Sequence, residues 1–296
     1  MSRSYLMQTR LEKLFKLFIG LLTVLAVAVL GFVIFFIVKQ ALPLFKEVSL
    51  GDFLLGTRWL PIAYAGEATF GIFNFIAATL VVSFLAMIIA AFAGIGAAIF
   101  LSCVASEKAR SLLYPFIDLL AGIPSVIYGF IGLVVLVRLF MKAGVHTGSC
   151  VMAAAILLSI MLLPYIISSC SETILKAKQR YLASSNAMGI SSWYGIAHVV
   201  LPASWGNIML SMILAIGRAM GETMAVMMVI GNANLFPRLF GKSETIAAVI
   251  ALEMGTAEAG SLHYHALYAA GLVLIIMLLL INALIGALRT KLIKEA

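Results

Sequence analysis

The run "SWGNIMLSMILAIGRAMGETMAVMMVIG", residues 204–231, is apolar on both sides of one arginine and one glutamate, Arg218 and Glu222. A helix of about 20 apolar residues is enough to cross a bilayer, so the run is long enough to span one. Each charged side chain near a bilayer centre costs roughly 2.5–3.5 kcal/mol even on a lenient scale. The run therefore predicts a membrane helix whose two charges require an explanation.

The composition places the whole chain in a membrane. Of its 296 residues, 64% are hydrophobic and only 11% are charged, which is far from the balance of a soluble domain. The alternation typical of barrel strands is absent, so helices are expected to satisfy the backbone. We predict a single transmembrane domain over residues 1–296, with helices at about 17–38, 72–102, 113–140, 149–169, 204–231 and 264–288. The second, third and fifth are long enough to tilt, to break or to contain a short extra helix.

The Lys and Arg residues predict the orientation of these helices. If the N-terminus lies inside, the whole formal net charge of +8 falls on the inner side and the outer loops are balanced. The positive-inside rule therefore predicts that both termini are cytoplasmic. Because the basic residues are spread among loops beside helices and form no single patch, they do not indicate a nucleic-acid partner.

The predicted inner segment, about 170–203, ends in "NAMGISSWYGIAHVVLP", residues 186–202. Its apolar residues recur at helix-like spacings, which predicts a short amphipathic helix beside the membrane. A simple turn back into the fifth helix is the alternative, and it would leave those apolar residues without a partner. The spacing from Gly189 over nine residues to Val199, and then to Leu201 and Pro202, resembles the cytoplasmic signature of ABC-importer permeases.

In that family the segment is the coupling helix that seats in an ATPase subunit. The resemblance thus implies a coupling role for a set of seven residues, which are Asn186, Ala187, Met188, Gly189, Trp193, Leu201 and Pro202. Ala183, Ser184 and Ser185 stand where the family pattern has Glu-Ala-Ala. The acidic contact of the family is therefore missing.

The third predicted helix contains "IDLLAGIPSVIYG", residues 117–129. Pro124 removes a backbone donor, and Gly122 and Gly129 weaken the helix, so we predict a local break with Ser125 and Tyr128 beside it. Transporters use broken helices to expose backbone groups to a substrate. An ordinary proline kink is the alternative.

Asp118 lies a turn or two before this predicted break. Two structural roles are open to it: it either pairs with a basic residue across the bundle or caps the broken segment.

Two stretches together, "GIPSVIYGFIGL" and "GRAMGETMAVMMVIGN", resemble the C-type permease subunit of phosphate-specific ABC importers, within the binding-protein-dependent importer permease family. The resemblance implies an all-α, six-helix type I permease with a cytoplasmic coupling helix in the bacterial inner membrane. It implies no catalytic residue and no cofactor in this chain, with ATP and Mg on a dimeric ATP-binding subunit at the inner face. It further implies a sister A-type permease subunit and an external phosphate-binding protein.

Arg218 and Glu222 then become candidates for the phosphate pathway, together with Ser125 and Tyr128. Four residues apart, the two charges are predicted to project from one face of the fifth helix, about 6 Å apart along its axis. A packing ion pair is the alternative, but a buried pair rarely adds stability over apolar residues. A guanidinium fork suits two phosphate oxygens.

Gly217 and Gly221 lie beside these charges, also four residues apart. Their lack of side chains predicts that another helix approaches closely there.

Other readings of the function remain open from the sequence. They are a permease for another oxyanion, such as sulfate or molybdate, and an ion-coupled secondary transporter or a membrane enzyme. The stretch "GKSET", residues 241–245, has the tail of a phosphate-binding loop, but Phe236 stands where the first glycine is required. No nucleotide site is predicted there.

Two histidines and an outer aromatic segment are the remaining candidates. His263 and His265 lack a third defined ligand, so we expect surface residues and no metal site. The outer segment carries Trp59, Pro61 and Tyr64, which suit either an interfacial anchor or a contact with an external partner.

Overall fold

The apolar runs form long helices, since backbone groups in lipid must find their partners within the segment. The computed structural model describes residues 2–61 and 68–295. In these ranges, six helical stretches are long and apolar enough to cross a membrane, namely Phe15–Lys46, Phe73–Val104, Ser125–Lys142, Val151–Ala187, Ser192–Gly221 and Leu262–Ala287. The prediction of six membrane helices is confirmed.

The described chain is almost entirely helical apart from one small hairpin. Its α-helices are α1 Ser2–Ala41, α2 Leu50–Leu55, α3 Phe73–Ile99, α4 Glu107–Gly122, α5 Ser125–Ile131, α6 Val137–Lys142, α7 Val151–Ala187, α8 Ser192–Gly195, α9 Leu201–Gly221, α10 Met224–Ile230, α11 Ile246–Glu253 and α12 Leu262–Glu295. A 3-10 turn, Leu42–Lys46, follows α1, and π-helical turns extend α3 (Phe100–Val104), join α5 to α6 (Gly132–Leu136) and join α8 to α9 (Ile196–Val200). The strands β1 (Trp59–Leu60) and β2 (Thr69–Phe70) pair antiparallel, with Trp59 opposite Phe70.

The fourth membrane helix is longer than its hydrophobicity predicts. We expected a helix at 149–169 and an inner loop over 170–203, but α7 continues to Ala187 and only residues 188–191 connect it to α8. The expected loop is wrong, because a helix that leaves the lipid loses its apolar signal and not its helical propensity. An ion pair four residues apart, Lys176 Nζ to Glu172 Oε1 at 2.6 Å, lies on this polar extension.

The third and fifth predicted helices are both broken, as their length allowed. α4 ends at Gly122 and α5 begins at Ser125, so the third span is Ser125–Lys142 and not 113–140. The predicted break at Pro124 is confirmed, since Ile123 and Pro124 have extended backbones. The fifth helix ends at Gly221 and resumes as α10 at Met224.

Two hydrophobic cores hold the helices together. In the first, α7 packs against α3, α9 and α10. The approach of α3 to α7 is so close that a Cβ on Gly94 would lie 2.7 Å from Cγ2 of Ile166. The second core joins the β-hairpin and α2 to the start of α3, to α11 and to α12, around fully buried residues such as Phe53 and Phe75.

Trp59 and His263 both belong to this second core. Only 8% of Trp59 is exposed, and its Nε1 donates a hydrogen bond of 2.9 Å to Oε2 of Glu253. His263 Nε2 lies 2.7 Å from the same oxygen. Trp59 is therefore neither an interfacial anchor nor a partner contact, and the surface position expected for His263 is wrong. Tyr64 lies outside the described residues.

Glu244 is a buried carboxyl near this cluster. It precedes α11 in a connection outside the membrane spans and is only 7% exposed. Burial, and secondarily the charge of Glu253, raise its pKa from the ordinary 4.5 to about 7. The folded protein therefore binds this proton more tightly than the unfolded chain does. The resulting stabilisation is complete below about pH 4.5 and is lost as the pH rises through about 7.

We predict that Glu244→Gln removes part of the pH dependence of stability between pH 5 and 8. Each tenfold change in proton affinity corresponds to about 1.4 kcal/mol, so the effect is measurable. Thermal unfolding of the purified protein across this range should show wild type losing stability as the pH rises, with a flatter profile for the variant. Glu258→Gln, at an exposed acid between α11 and α12, is the control and should follow wild type. Superimposable profiles for wild type and Glu244→Gln would contradict the prediction.

Candidate functional site

A polar cavity of about 380 Å³ lies between α4, α7 and α9. It holds three charged side chains, one from each helix: Asp118, Glu172 and Arg218. The rest of its wall consists of Ala121, Met161, Pro164, Tyr165, Ser168 and Ser169. The cavity thus collects charges and hydroxyl groups within an otherwise apolar bundle.

Arg218 lies in the last turn of α9, and its side chain is exposed. Asp118 is likewise exposed, in the last two turns of α4. Within the described chain, neither has an oppositely charged partner within 4.0 Å. The structure thus places Asp118 at the same cavity as the arginine and does not lock the two together.

Among the described residues, no ion pair joins Arg218 to Glu222. α9 ends at Gly221, and Glu222 has an extended backbone with ψ of 122°. Its Oε1 instead accepts a hydrogen bond of 3.3 Å from the backbone N–H of Ala225, in the first turn of α10. Because a carboxylate satisfies the free N–H groups at a helix start, Glu222 serves α10. It is not part of the cavity wall.

The glycines beside Arg218 do not serve the close packing that we expected within this chain. A Cβ on Gly221 would meet no atom within 4 Å, and one on Gly217 would meet only Oδ1 of Asn282, at 3.9 Å. No helix of the described residues approaches them closely.

Tyr128 spans the break between α4 and α5. Its side chain is buried, and its hydroxyl donates a hydrogen bond of 2.8 Å to the carbonyl of Leu120. That carbonyl is near the end of α4, where backbone acceptors lack helical partners. Tyr128 therefore ties the two pieces together, and neither it nor the half-buried Ser125 lines the cavity.

Gly129 has a packing role that the sequence reading missed. A Cβ on it would lie 2.6 Å from Sδ of Met228 and 3.0 Å from Cα of Ala225. Only a glycine therefore lets α5 approach α10 this closely. The sequence analysis considered Gly129 only as a helix-weakening residue. Gly129 and Gly132, which also packs tightly, are three residues apart and lie on one helical face, and this spacing is the sequence signal for the close contact.

We predict that Gly129→Ala destabilises the protein by about 1–3 kcal/mol, because the added methyl group meets backbone as well as a flexible methionine. Gly122→Ala is the matched control, since a Cβ there meets nothing within 4 Å. Thermal unfolding of both purified variants measures the difference. Equal stability of the two variants would contradict the prediction, because it would show that α10 shifts to accommodate the added methyl group without a measurable loss of stability.

The turn between α7 and α8 explains the glycine of the inner motif. Gly189 has φ of +77°, a conformation that glycine adopts without steric cost. Its N–H donates to the carbonyl of Asn186 at 3.0 Å, and the N–H of Ile190 donates to that of Ser185 at 3.3 Å. Backbone acceptors at the end of α7 are thereby satisfied. The turn allows α8 to run back against α7.

Beyond this turn lies an exposed apolar surface, formed by Met188, Trp193 and Tyr194, which we call the hairpin patch. Their exposed fractions are 73%, 64% and 55%. Asn186 and Ala187 are exposed beside it, at the end of α7. The expected amphipathic helix is therefore present only as α8, which continues through a π-helical turn into α9 and does not lie apart.

Leu201 and Pro202 lie away from the hairpin patch, in the first turn of α9. Leu201 is half-buried, whereas Pro202 is exposed. Gly195 and Ser185 bring the two arms of the hairpin together, since a Cβ on Gly195 would lie 2.9 Å from Oγ of Ser185. A small residue at position 185 thus has a packing reason.

Residues 90–294 match the family described as binding-protein-dependent transport system inner membrane component. The chain belongs to this family, and it is a multi-pass membrane transport component and not an enzyme. It is 37% identical over 252 residues to the probable ABC transporter permease protein YqgH of Bacillus subtilis, with 84% of this chain and 80% of the relative covered. It is 31% identical to the phosphate transport system permease protein PstC of Haemophilus influenzae, with 98% of this chain and 96% of the relative covered.

The fold agrees with solved structures of the same class. A chain from the inward-facing MetNI methionine ABC transporter superposes with a TM-score of 0.56 at 17% identity, covering 75% of this chain and 94% of that one. At this identity the likeness concerns the fold alone. The expected type I importer permease fold is confirmed.

Proposed function

We propose that this chain is the C-type permease subunit of an ATP-driven importer of inorganic phosphate. The observation that carries the proposal is the similarity to relatives named phosphate transport system permease protein PstC, which extends to 98% of the chain. The cavity at Arg218 supports it, because a guanidinium with nearby hydroxyl groups is suited to an oxyanion. No observation favours sulfate, molybdate or an ion-coupled transporter over phosphate.

The cavity suggests how the anion passes. A volume of about 380 Å³ holds a phosphate ion and several waters, since a water occupies about 30 Å³ in the liquid. Arg218 supplies the attractive charge, and the hydroxyls of Tyr165 and Ser168 supply hydrogen bonds without adding charge. Conduction needs an anion to be bound weakly enough to leave again. In this proposal Ser125, Tyr128 and Glu222 support the pathway by fixing the broken helices.

The partner subunits are assigned from the exposed surfaces. The hairpin patch is proposed to seat in one subunit of a dimeric ATPase at the inner face, which binds ATP and Mg. A sister A-type permease subunit and lipid would cover the apolar face of α4, where Leu112, Phe116 and Leu119 are 58–67% exposed. An external phosphate-binding protein would deliver the anion.

The proposal includes a single permease domain in the bacterial inner membrane with both termini in the cytoplasm. We assign nucleotide binding to the partner ATPase, because side chains of the "GKSET" stretch form hydrogen bonds within this chain. Ser243 donates to the carbonyl of Leu235 at 2.8 Å, and Oγ1 of Thr245 accepts from the N–H of Ala248 at the start of α11.

We expect Arg218→Gln to lower phosphate uptake at least about tenfold, since it removes a charge-assisted contact. Arg218→Lys keeps the charge but loses the planar fork, so we expect intermediate uptake. Radiolabelled phosphate uptake at equal membrane abundance measures both. Arg138→Gln, at an exposed arginine of α6 away from the cavity, is the control and should transport normally. Normal uptake by Arg218→Gln would exclude the arginine from the pathway.

For the hairpin patch, we expect Trp193→Asp to uncouple transport from ATP hydrolysis, because it places a charge against an apolar groove of the partner. Trp193→Phe preserves the apolar contact and should remain active. Copurification of the ATPase and uptake of phosphate are measured for both variants, and both measurements should be lower for Trp193→Asp. Full copurification and uptake with Trp193→Asp would show that the ATPase contacts another surface.

A further inference from the structure

Of the three charged side chains at the cavity, only one has an oppositely charged partner within 4.0 Å in the described chain. Glu172 is already paired, because its Oε1 lies 2.6 Å from Nζ of Lys176. Asp118 and Arg218 are the other two charged groups of the cavity, and in the described chain neither belongs to an ion pair within 4.0 Å. Asp118 is therefore the carboxylate left to balance the arginine across the open space.

We infer that Asp118 is the counter-charge of Arg218 and sets how readily a phosphate anion leaves the arginine. The inference rests on the proposed function. Glu222 is not the counter-charge, since it accepts a hydrogen bond from the N–H of Ala225 and does not line the cavity. It also gives Asp118 a role beyond the capping or packing roles considered from the sequence.

The physical argument is competition for one positive charge. An anion that reaches Arg218 enters the field of a carboxylate on the same cavity wall, and the repulsion weakens its binding. When the anion departs, Asp118 offsets part of the positive charge of the arginine. A fixed carboxylate at this position thus opposes tight binding without blocking access. Asp118 acts through the field at Arg218 and need not touch the phosphate.

The arrangement of the helices makes this pairing adjustable. Asp118 is on α4, which ends four residues later at the Gly-Ile-Pro break, whereas Arg218 is on α9. A shift of α4 relative to α9 would change the separation of the two charges, and with it the hold on the anion. Glu172 lies on α7 and keeps its own partner four residues away on the same helix, so it would be insensitive to such a shift.

The test uses the assembled permease–ATPase complex in lipid nanodiscs without the binding protein, and radiolabelled inorganic phosphate as the probe. We expect Asp118→Asn to bind phosphate about tenfold more tightly than wild type, because a full charge of repulsion is removed from the cavity. The maximal rate of uptake in proteoliposomes should fall, since release becomes slower. The difference in affinity should shrink at high salt, which screens charges. A purely structural role would produce neither the tighter binding nor its salt dependence.

Glu107→Gln is the matched control, because it removes an exposed carboxylate of the same helix, α4, that does not line the cavity, and it should bind phosphate as wild type does. Asp118→Ser is a second neutral variant for the case in which Asp118→Asn does not assemble. Unchanged or weaker phosphate binding by the neutral variants would overturn the inference. Arg218→Gln separates this outcome from failure of the proposed function. If Arg218→Gln loses phosphate binding while Asp118→Asn resembles wild type, only the inference fails; if Arg218→Gln also binds normally, the proposed pathway itself fails.

Discussion

The contact of α5 with α10 at Gly129 is the constraint on which the centre of the molecule depends. Both helices follow a break in a predicted membrane segment. α5 begins the span Ser125–Lys142, whereas α10, Met224–Ile230, is too short to be stable alone. They meet so closely that a Cβ on Gly129 would lie 3.0 Å from Cα of Ala225. Because α5 and α10 pack against each other, the polar residues near the ends of α4 and α9 can line the cavity instead of this contact.

Each break is held by a side chain that satisfies the backbone beside it. Tyr128 donates to the carbonyl of Leu120 at 2.8 Å across the first break. At the second, Glu222 accepts from the N–H of Ala225 at 3.3 Å. In lipid an unsatisfied backbone group costs several kcal/mol. These two hydrogen bonds therefore reduce the cost of breaking a helix inside the bundle. The same breaks leave Asp118 and Arg218 near the ends of α4 and α9, at one cavity.

The hairpin formed by α7 and α8 is also held by backbone contacts, but it presents an apolar surface instead of a polar cavity. A left-handed turn at Gly189 and the close contact of Gly195 with Ser185 hold α8 against α7. Since the backbone is thereby satisfied, Met188, Trp193 and Tyr194 are free to present an apolar surface. The cavity and the hairpin patch are thus linked by continuous helix, because α8 runs through a π-helical turn into α9, which ends at Arg218 and Gly221.

The sequence by itself determined the membrane class, the number of spans and the break at Pro124, because hydrophobicity and backbone chemistry are local properties. It misplaced the end of α7, since a helix outside lipid has no apolar signal. Only the tertiary structure decided the partners of the polar groups. Glu222 was assigned to Arg218 by helical spacing, but the helix ends between them and the carboxylate caps α10. Asp118 and Arg218, 100 residues apart, meet at one cavity because α4 and α9 both pack against α7, and no local pattern encodes that meeting.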